Sequence, residues 1–286
     1  MTTKLLKLNQ KSYPQLLAKI NKPPDPLYCL GNSDPAIFKN CLAVVGSRKM
    51  TDYGQQVIEK ILPEIVEAGV TIVSGFMYGV DETAHLVCLE NQGKTIAVLG
   101  CGINLIRPTT LKNLHQKILA NNGLILSELT GEHPPFRWTF VRRNRIISGL
   151  SKATLIVEAS EESGSLVTAR LAKEQKRKVL AIPGPIGSSS SKGTAMLIRQ
   201  GATLVSSAEE VLQALGLKIA NRKEKDLNNL SREEKQVINF INEGSFSADE
   251  ISRKLKMPSS QLGSLLSILL VKGPLKQDSR GRYYQP

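Results

Sequence analysis

Histidine is scarce in this chain, with three in 286 residues, and none of the three stands at a metal-ligand spacing. Cysteine is nearly as rare. The four fall at positions 29, 41, 88 and 101, and form neither a CxxC pair nor a disulfide framework. Zinc chemistry and a secreted disulfide scaffold are thereby excluded, and a reducing cytoplasm is the expected location. No apolar run approaches the ~18 residues of a membrane span. The opening MTTKLLKLNQKSYP has neither the apolar core nor the cleavage site of a secretory signal. Two nucleotide signatures are also missing. No GxxxxGK[ST] occurs, so nothing points to NTP hydrolysis, and no GxGxxG follows an apolar run with an acid about 20 residues on.

What is abundant is positive charge. Lys and Arg number 38 against 25 Asp and Glu, for a formal charge of +13. The excess is spread over the chain: 25 − 17 gives +8 in residues 1–215, and 13 − 8 gives +5 in 216–286. Such an excess points to a polyanionic partner.

The organisation follows from hydrophobic patterning. Residues 1–40 read as a Pro-rich lead-in packed on the main domain. Seven apolar runs then alternate with amphipathic stretches: 41–46, 70–75, 95–100, 124–129, 153–159, 178–184 and 202–206. Near-continuous apolar strands are expected where both sheet faces are covered. Thr51 and Asp52 can cap a helix in which Val57, Ile58, Ile61, Leu62, Ile65 and Val66 recur at helical spacing. Residues 110–122 and 165–177 read similarly. The alternation predicts an α/β fold, a Rossmann-like doubly wound parallel sheet over 41–216. Residues 217–229 are charged and poor in apolar side chains, which reads as a linker. Over 230–286, two capping boxes (Ser231 with Glu234, Ser247 with Glu250), a third helix over 258–272 and a terminal hairpin predict a small C-terminal winged-helix domain.

Ligands of doubly wound sheets bind outside the carboxyl ends of the strands. After the first strand, Gly46, Ser47 and Arg48 offer a small turn, a hydroxyl and a guanidinium, which suits a phosphate. After the fifth, Gly164, Ser165 and Thr168 open a helix whose N–H groups can receive an anion. After the sixth, a flexible loop carries Lys192. Cys101, after the third strand, has no His or Asp nearby in sequence and reads as a buried hydrophobe. The segment FRWTFVRRNRIISGLS places Arg137, Arg142, Arg143, Arg145 and Asn144 among Phe136, Trp138 and Phe140. Guanidiniums pair with phosphates and exposed rings stack on unpaired bases, so this interleaving suits single-stranded nucleic acid. Arg48 and Arg143 are expected to clamp phosphates, with Phe140 as a stacking platform.

Taken in order, VVGSR, SGFMYGVD, RRNRIISGLS, VEA with SGSLVTA, and AIPG resemble the DprA/Smf family of DNA-processing proteins of natural transformation. The resemblance covers about 13–215. It implies an extended Rossmann fold that binds single-stranded DNA without catalysis and without a cofactor. It also implies a homodimer that protects incoming DNA and loads the recombinase RecA. The family's pocket motifs fall on Gly46, Ser47, Arg48, Phe140, Arg143, Asn144 and Arg145. The chain departs from the family pattern at Met77 and Tyr78, where an Arg is missing, and at Asn104, Val141 and Ala195. Two other classes compete. One is an enzyme of this fold that cleaves nucleotide N-glycosidic bonds, but its PGGxGTxxE run is replaced by PGPIGSSSSKGTAML, without the Glu. The other is a regulator that reads duplex DNA with the helix over 258–272.

Overall fold

The structure is a computed structural model and describes residues 2–217, 231–242, 244–272, 274–278 and 281–284. It divides into two compact units, 1–219 and 220–286. All but the first residue of the expected linker, 217–229, lie outside the described residues.

The first unit is built on a nine-stranded sheet. Its strands are β1 (Lys4–Leu6), β2 (Leu27–Gly31), β3 (Cys41–Val45), β4 (Thr71–Ser74), β5 (Thr95–Val98), β6 (Leu124–Ser127), β7 (Ala153–Ile156), β8 (Lys178–Ala181) and β9 (Thr203–Leu204). Their spatial order is β1-β2-β6-β5-β4-β3-β7-β8-β9, and the seven from β6 to β9 run parallel. Strand β3 is the middle one of these seven, with Leu42 opposite Ile72 of β4 on one side and Ala153 of β7 on the other. The chain builds outward from β3 to β6, then returns to β7. The switch point of the sheet is therefore the crevice between β3 and β7, at their carboxyl ends.

Alternate residues of β3 serve two separate cores, which explains its unbroken apolar run. Cys41, Ala43 and Val45 face a core that includes Ile146, Ile147 and Leu150 of helix α5 (Arg137–Leu150). Leu42 and Val44 face one built on Ile58, Ile61, Leu62 and Ile65 of α2 (Asp52–Glu67). Between the strands run α1 (Gln15–Ala18), α3 (Val80–Glu90), α4 (Lys112–Ala120), α6 (Gly164–Glu174), α7 (Lys192–Arg199) and α8 (Ala208–Leu215).

Three features depart from the sequence reading. The lead-in enters the sheet itself: β2 lies antiparallel to β6, with Cys29 opposite Leu126, and β1 lies antiparallel to β2. The aromatic–arginine segment is helical, opening at Phe136, whose N–H donates to Thr139 Oγ1 at 3.0 Å. Lys192 is the first residue of α7, preceded by a single 3-10 turn over Ser189–Ser191, and does not sit in a flexible loop.

The second unit has three helices, α9 (Arg232–Ile241), α10 (Ala248–Leu255) and α11 (Ser259–Lys272), then the antiparallel strands β10 (Lys276–Gln277) and β11 (Tyr283–Tyr284). Both capping boxes form: the N–H groups of Glu234 and Glu250 donate to Ser231 and Ser247 Oγ, and the two carboxylates accept from the serine N–H groups. Val237, Ile241, Ile251, Leu262, Leu266 and Leu269 form a core of its own.

Candidate nucleic-acid interface

A cavity of about 1000 Å³ opens at the β3/β7 switch point. Its walls come from the turn after β3 (Gly46–Lys49), Met77, Asp81, the outer face of α5 and the start of α6.

The turn after β3 is fixed by two glycines. A Cβ on Gly46 would lie 2.6 Å from Val80 Cγ2 and 2.9 Å from the Glu158 carbonyl. Gly79 has φ 73°, and a Cβ there would lie 2.5 Å from the Ser47 carbonyl. That carbonyl accepts from Val80 N–H at 3.2 Å, and Ser47 Oγ accepts from Lys49 N–H at 3.1 Å. The backbone is thus locked while Arg48 and Lys49 remain exposed. The Arg48 guanidinium lies over the Phe140 ring, 5.5 Å from its centroid. Phe140 is half-buried, and its ring seats on Gly100, where a Cβ would stand 2.6 Å from Cδ1.

Opposite this turn, α6 begins with Ser163 as N-cap, accepting from Ser165 N–H at 3.3 Å. Space above Gly164 is open, so the helix start faces the cavity unobstructed. The positive end of the helix dipole favours an anion there.

Arg143 behaves differently from the expected clamp. It is only 5% exposed, and Nη1 donates to the carbonyls of Gly75 and Val98. Nε donates to Asn144 Oδ1 at 3.2 Å. Burial lowers its pKa to about 10, against the opposing pull of Asp81, so it stays cationic near neutrality. Asp81 is itself buried, which raises its pKa. The Arg143 charge, the Ser74 hydroxyl and the Met77 N–H act the other way. Gly75 makes the pair possible, since a Cβ would lie 2.6 Å from Asp81 Oδ2 and 2.8 Å from both Arg143 Nη atoms. Arg143 is therefore a strut joining α5 to the ends of β4 and β5, its Nη1 donating to backbone carbonyls and its Nε to the neighbouring Asn144.

Two further expectations need correction. Arg145 is ion-paired with Glu128, and its side chain is 14% exposed and outside the cavity wall. Lys192 is exposed on α7 and also outside it. Arg142 shares Glu128, at 2.9 Å, yet its side chain stays 51% exposed and lines the cavity. Gly46, Ser47, Arg48, Arg137, Phe140, Arg142, Arg143, Asn144, Gly164, Ser165 and Thr168 all line the same cavity. Sequence reasoning missed Lys49, which also lines the cavity. Lys49 was signalled only by following Arg48 in a turn at a strand end.

Of the departures from the family pattern, Met77 and Val141 line the cavity. The Tyr78 hydroxyl pairs with Thr110 Oγ1 at 2.9 Å, while Asn104 and Ala195 are exposed elsewhere. Glu158 is buried and accepts from Thr51 N–H at 2.8 Å and Thr51 Oγ1 at 2.6 Å, anchoring the start of α2. Cys101 is buried, which pushes its thiol pKa up. Among the described residues no cluster of His, Cys, Asp or Glu could hold a metal, and no helix is long and apolar enough to cross a membrane.

The comparisons agree with this geometry. The family model described as DNA recombination-mediator protein A matches residues 4–216. Protein Smf of Escherichia coli is 44% identical over 211 residues, 74% of this chain and 56% of that protein. DNA processing protein DprA of Streptococcus pneumoniae is 42% identical over 200 residues, 70% of each chain. The matched stretch thus spans little more than half of the E. coli relative. Among solved structures, DNA processing protein A from S. pneumoniae superposes with a TM-score of 0.70 at 38% identity, covering 74% of both chains. DNA processing protein A from Helicobacter pylori, described for its single-stranded DNA binding mode, superposes at 0.66 and 31% identity, covering 75% of this chain and 96% of that one. With the match running across the whole strand-switch sheet, this chain belongs to the DNA recombination-mediator protein A family.

Proposed function

We propose that this chain binds single-stranded DNA in the β3/β7 cavity and acts as a recombination mediator without catalysis. The observation that carries the reading is a coincidence in one cavity. Four exposed cations (Arg48, Lys49, Arg137 and Arg142), an open helix start and aromatic rings converge on it. Phosphates meet the Ser47–Lys49 turn and the α6 N–H groups, while a base stacks on the Arg48–Phe140 pair. The description of the H. pylori relative supports the same ligand. Of the carboxylates near the cavity, Glu158 accepts from Thr51 and buried Asp81 lies within the field of Arg143, while Glu162 lines the cavity exposed to solvent. The family description supports the recombination-mediator role; protection of incoming DNA and loading of RecA, in the cytoplasm and without a cofactor, extend the proposal as the family resemblance implies. A homodimer is part of the same proposal, as the family resemblance implies.

Anisotropy titration of a labelled oligonucleotide, as single strand and as duplex at one salt concentration, tests the reading. The single strand binds more tightly, because duplex bases are not free to stack. Equal affinities refute it.

A further inference from the structure

At the lip of the cavity, two exposed rings and a half-buried one form a cluster. Phe136 is 48% and Trp138 52% exposed. Their planes are parallel to within 4°, with centroids 6.3 Å apart. His133 stands edge-on to both, at 5.9 and 6.5 Å. The cluster is held from beneath: Thr139 Oγ1 accepts from Phe136 N–H and donates to the Gly100 carbonyl at 2.5 Å, which fixes the first turn of α5. Large rings are normally buried where a core can take them, so a braced, open pair invites a ligand with a flat apolar face.

We propose that Trp138, backed by Phe136, is a second base-stacking platform at the lip of the cavity, engaged by a nucleotide adjoining the one inside. The inference rests on the single-strand reading above and adds a station to it. Three observations select a nucleic-acid base over an apolar protein segment as the occupant. Trp138 lines the same cavity as Phe140, so a strand leaving the inner ring passes it. Arg137 and Arg142, both exposed, flank it on α5 and provide for the phosphates on either side. Glu128, the acid beside these arginines, is already neutralised by Arg142 and Arg145. Val141, 51% exposed and one turn along the helix, extends the apolar surface.

Trp138 is the chain's only tryptophan, so its fluorescence reports on this platform alone. The full chain is titrated with a thymidine oligonucleotide and with an abasic oligomer of equal length. Emission is followed on unlabelled DNA and affinity on labelled DNA, for the wild type, Trp138→Ala and Trp138→Phe. The thymidine strand quenches Trp138, and the abasic strand does not. Trp138→Ala loses about 5- to 150-fold in affinity, as expected for one stacked base. Trp138→Phe keeps most of it, and the salt slope is the same in all three because the ring releases no counterion. Thermal melting of both variants accompanies the titration, and Trp138→Phe carries the test if Trp138→Ala melts early. Binding of the thymidine strand without quenching, with Trp138→Phe and Trp138→Ala matching the wild type, overturns the platform and leaves the single-strand reading intact. Equal quenching by the abasic strand overturns it as well. Failure of the wild type to bind the thymidine strand overturns both.

Discussion

Replacing Arg143 with alanine separates a strut from a clamp. The side chain is 5% exposed, donates to the Gly75 and Val98 carbonyls, and lies against buried Asp81. Truncation strips two carbonyls of their donor and leaves Asp81 buried without its counter-charge. Removing a buried guanidinium from two carbonyls and from the field of a buried carboxylate costs on the order of the 3–5 kcal/mol seen when one partner of a buried charge pair is lost. For a domain of this size each kcal/mol shifts the melting temperature by about 2–4 °C. Arg143→Ala should therefore melt roughly 6–20 °C below wild type. Adding Asp81→Asn removes the stranded charge, so the double variant should recover part of the loss, with a coupling of about 0.5–3 kcal/mol. Urea titrations of the wild type, both single variants and the double variant complete the cycle. A free phosphate clamp behaves otherwise: Arg143→Ala would then melt with the wild type and lose only salt-dependent binding. That outcome, or additive single effects, refutes the strut.

Arg48→Ala should weaken single-strand binding for every sequence and lower the log–log salt slope by about 0.7, measured by anisotropy across salt. An unchanged slope would remove Arg48 from the phosphate path. His85 supplies an acid-sensitive element. It is fully buried, and Thr95 Oγ1 donates to the Ile72 carbonyl and so accepts from His85 Nδ1–H at 2.6 Å, leaving Nε2 without a hydrogen-bond partner. Burial, with the Arg143 charge second, lowers its pKa from 6.5 to about 3. The unfolded chain takes up a proton below 6.5 that the folded chain refuses down to about 3. Stability from this group is therefore complete above that window and falls by about 1.4 kcal/mol per pH unit within it as pH drops. Urea midpoints across pH should show His85→Leu with a flatter acid limb than wild type, and parallel limbs would contradict the assignment. A chain ending at Gly216 contains every cavity residue and should retain most single-strand affinity. Lost binding with an intact melting transition would place the site elsewhere.

The central sheet was legible because β3 to β8 are covered on both faces, so their apolar runs stand out from the helices between them. The capping boxes at Ser231 and Ser247 were legible because their chemistry is local. Strand β2 was not. Its residues alternate between buried and half-buried, and its partner β6 lies about a hundred residues away, a pairing that local pattern does not encode. The arginines of α5 were recognised as a group but not sorted. Without a helix assignment, Arg142, Arg143 and Arg145 appear equivalent. On a helix of 3.6 residues per turn, Arg142 and Arg145 share a face and both reach Glu128, Arg142 staying exposed at the cavity, whereas Arg143 turns inward to the Gly75 and Val98 carbonyls. Burial of a guanidinium beneath the sheet ends depends on Gly75 leaving room, a long-range condition that composition does not carry.

The location of the bound strand is open to one direct measurement. A single-stranded oligonucleotide carrying photoreactive thiothymidine is cross-linked to the full chain, and the modified peptides are mapped by mass spectrometry. Binding at the β3/β7 switch point predicts adducts within 46–49, 136–147 and 160–168, the three segments that supply most of the cavity wall. Those adducts should diminish when unlabelled single strand competes and persist when duplex is added. Adducts confined to residues outside these segments, or equal competition by duplex, would contradict a single-strand site in this cavity.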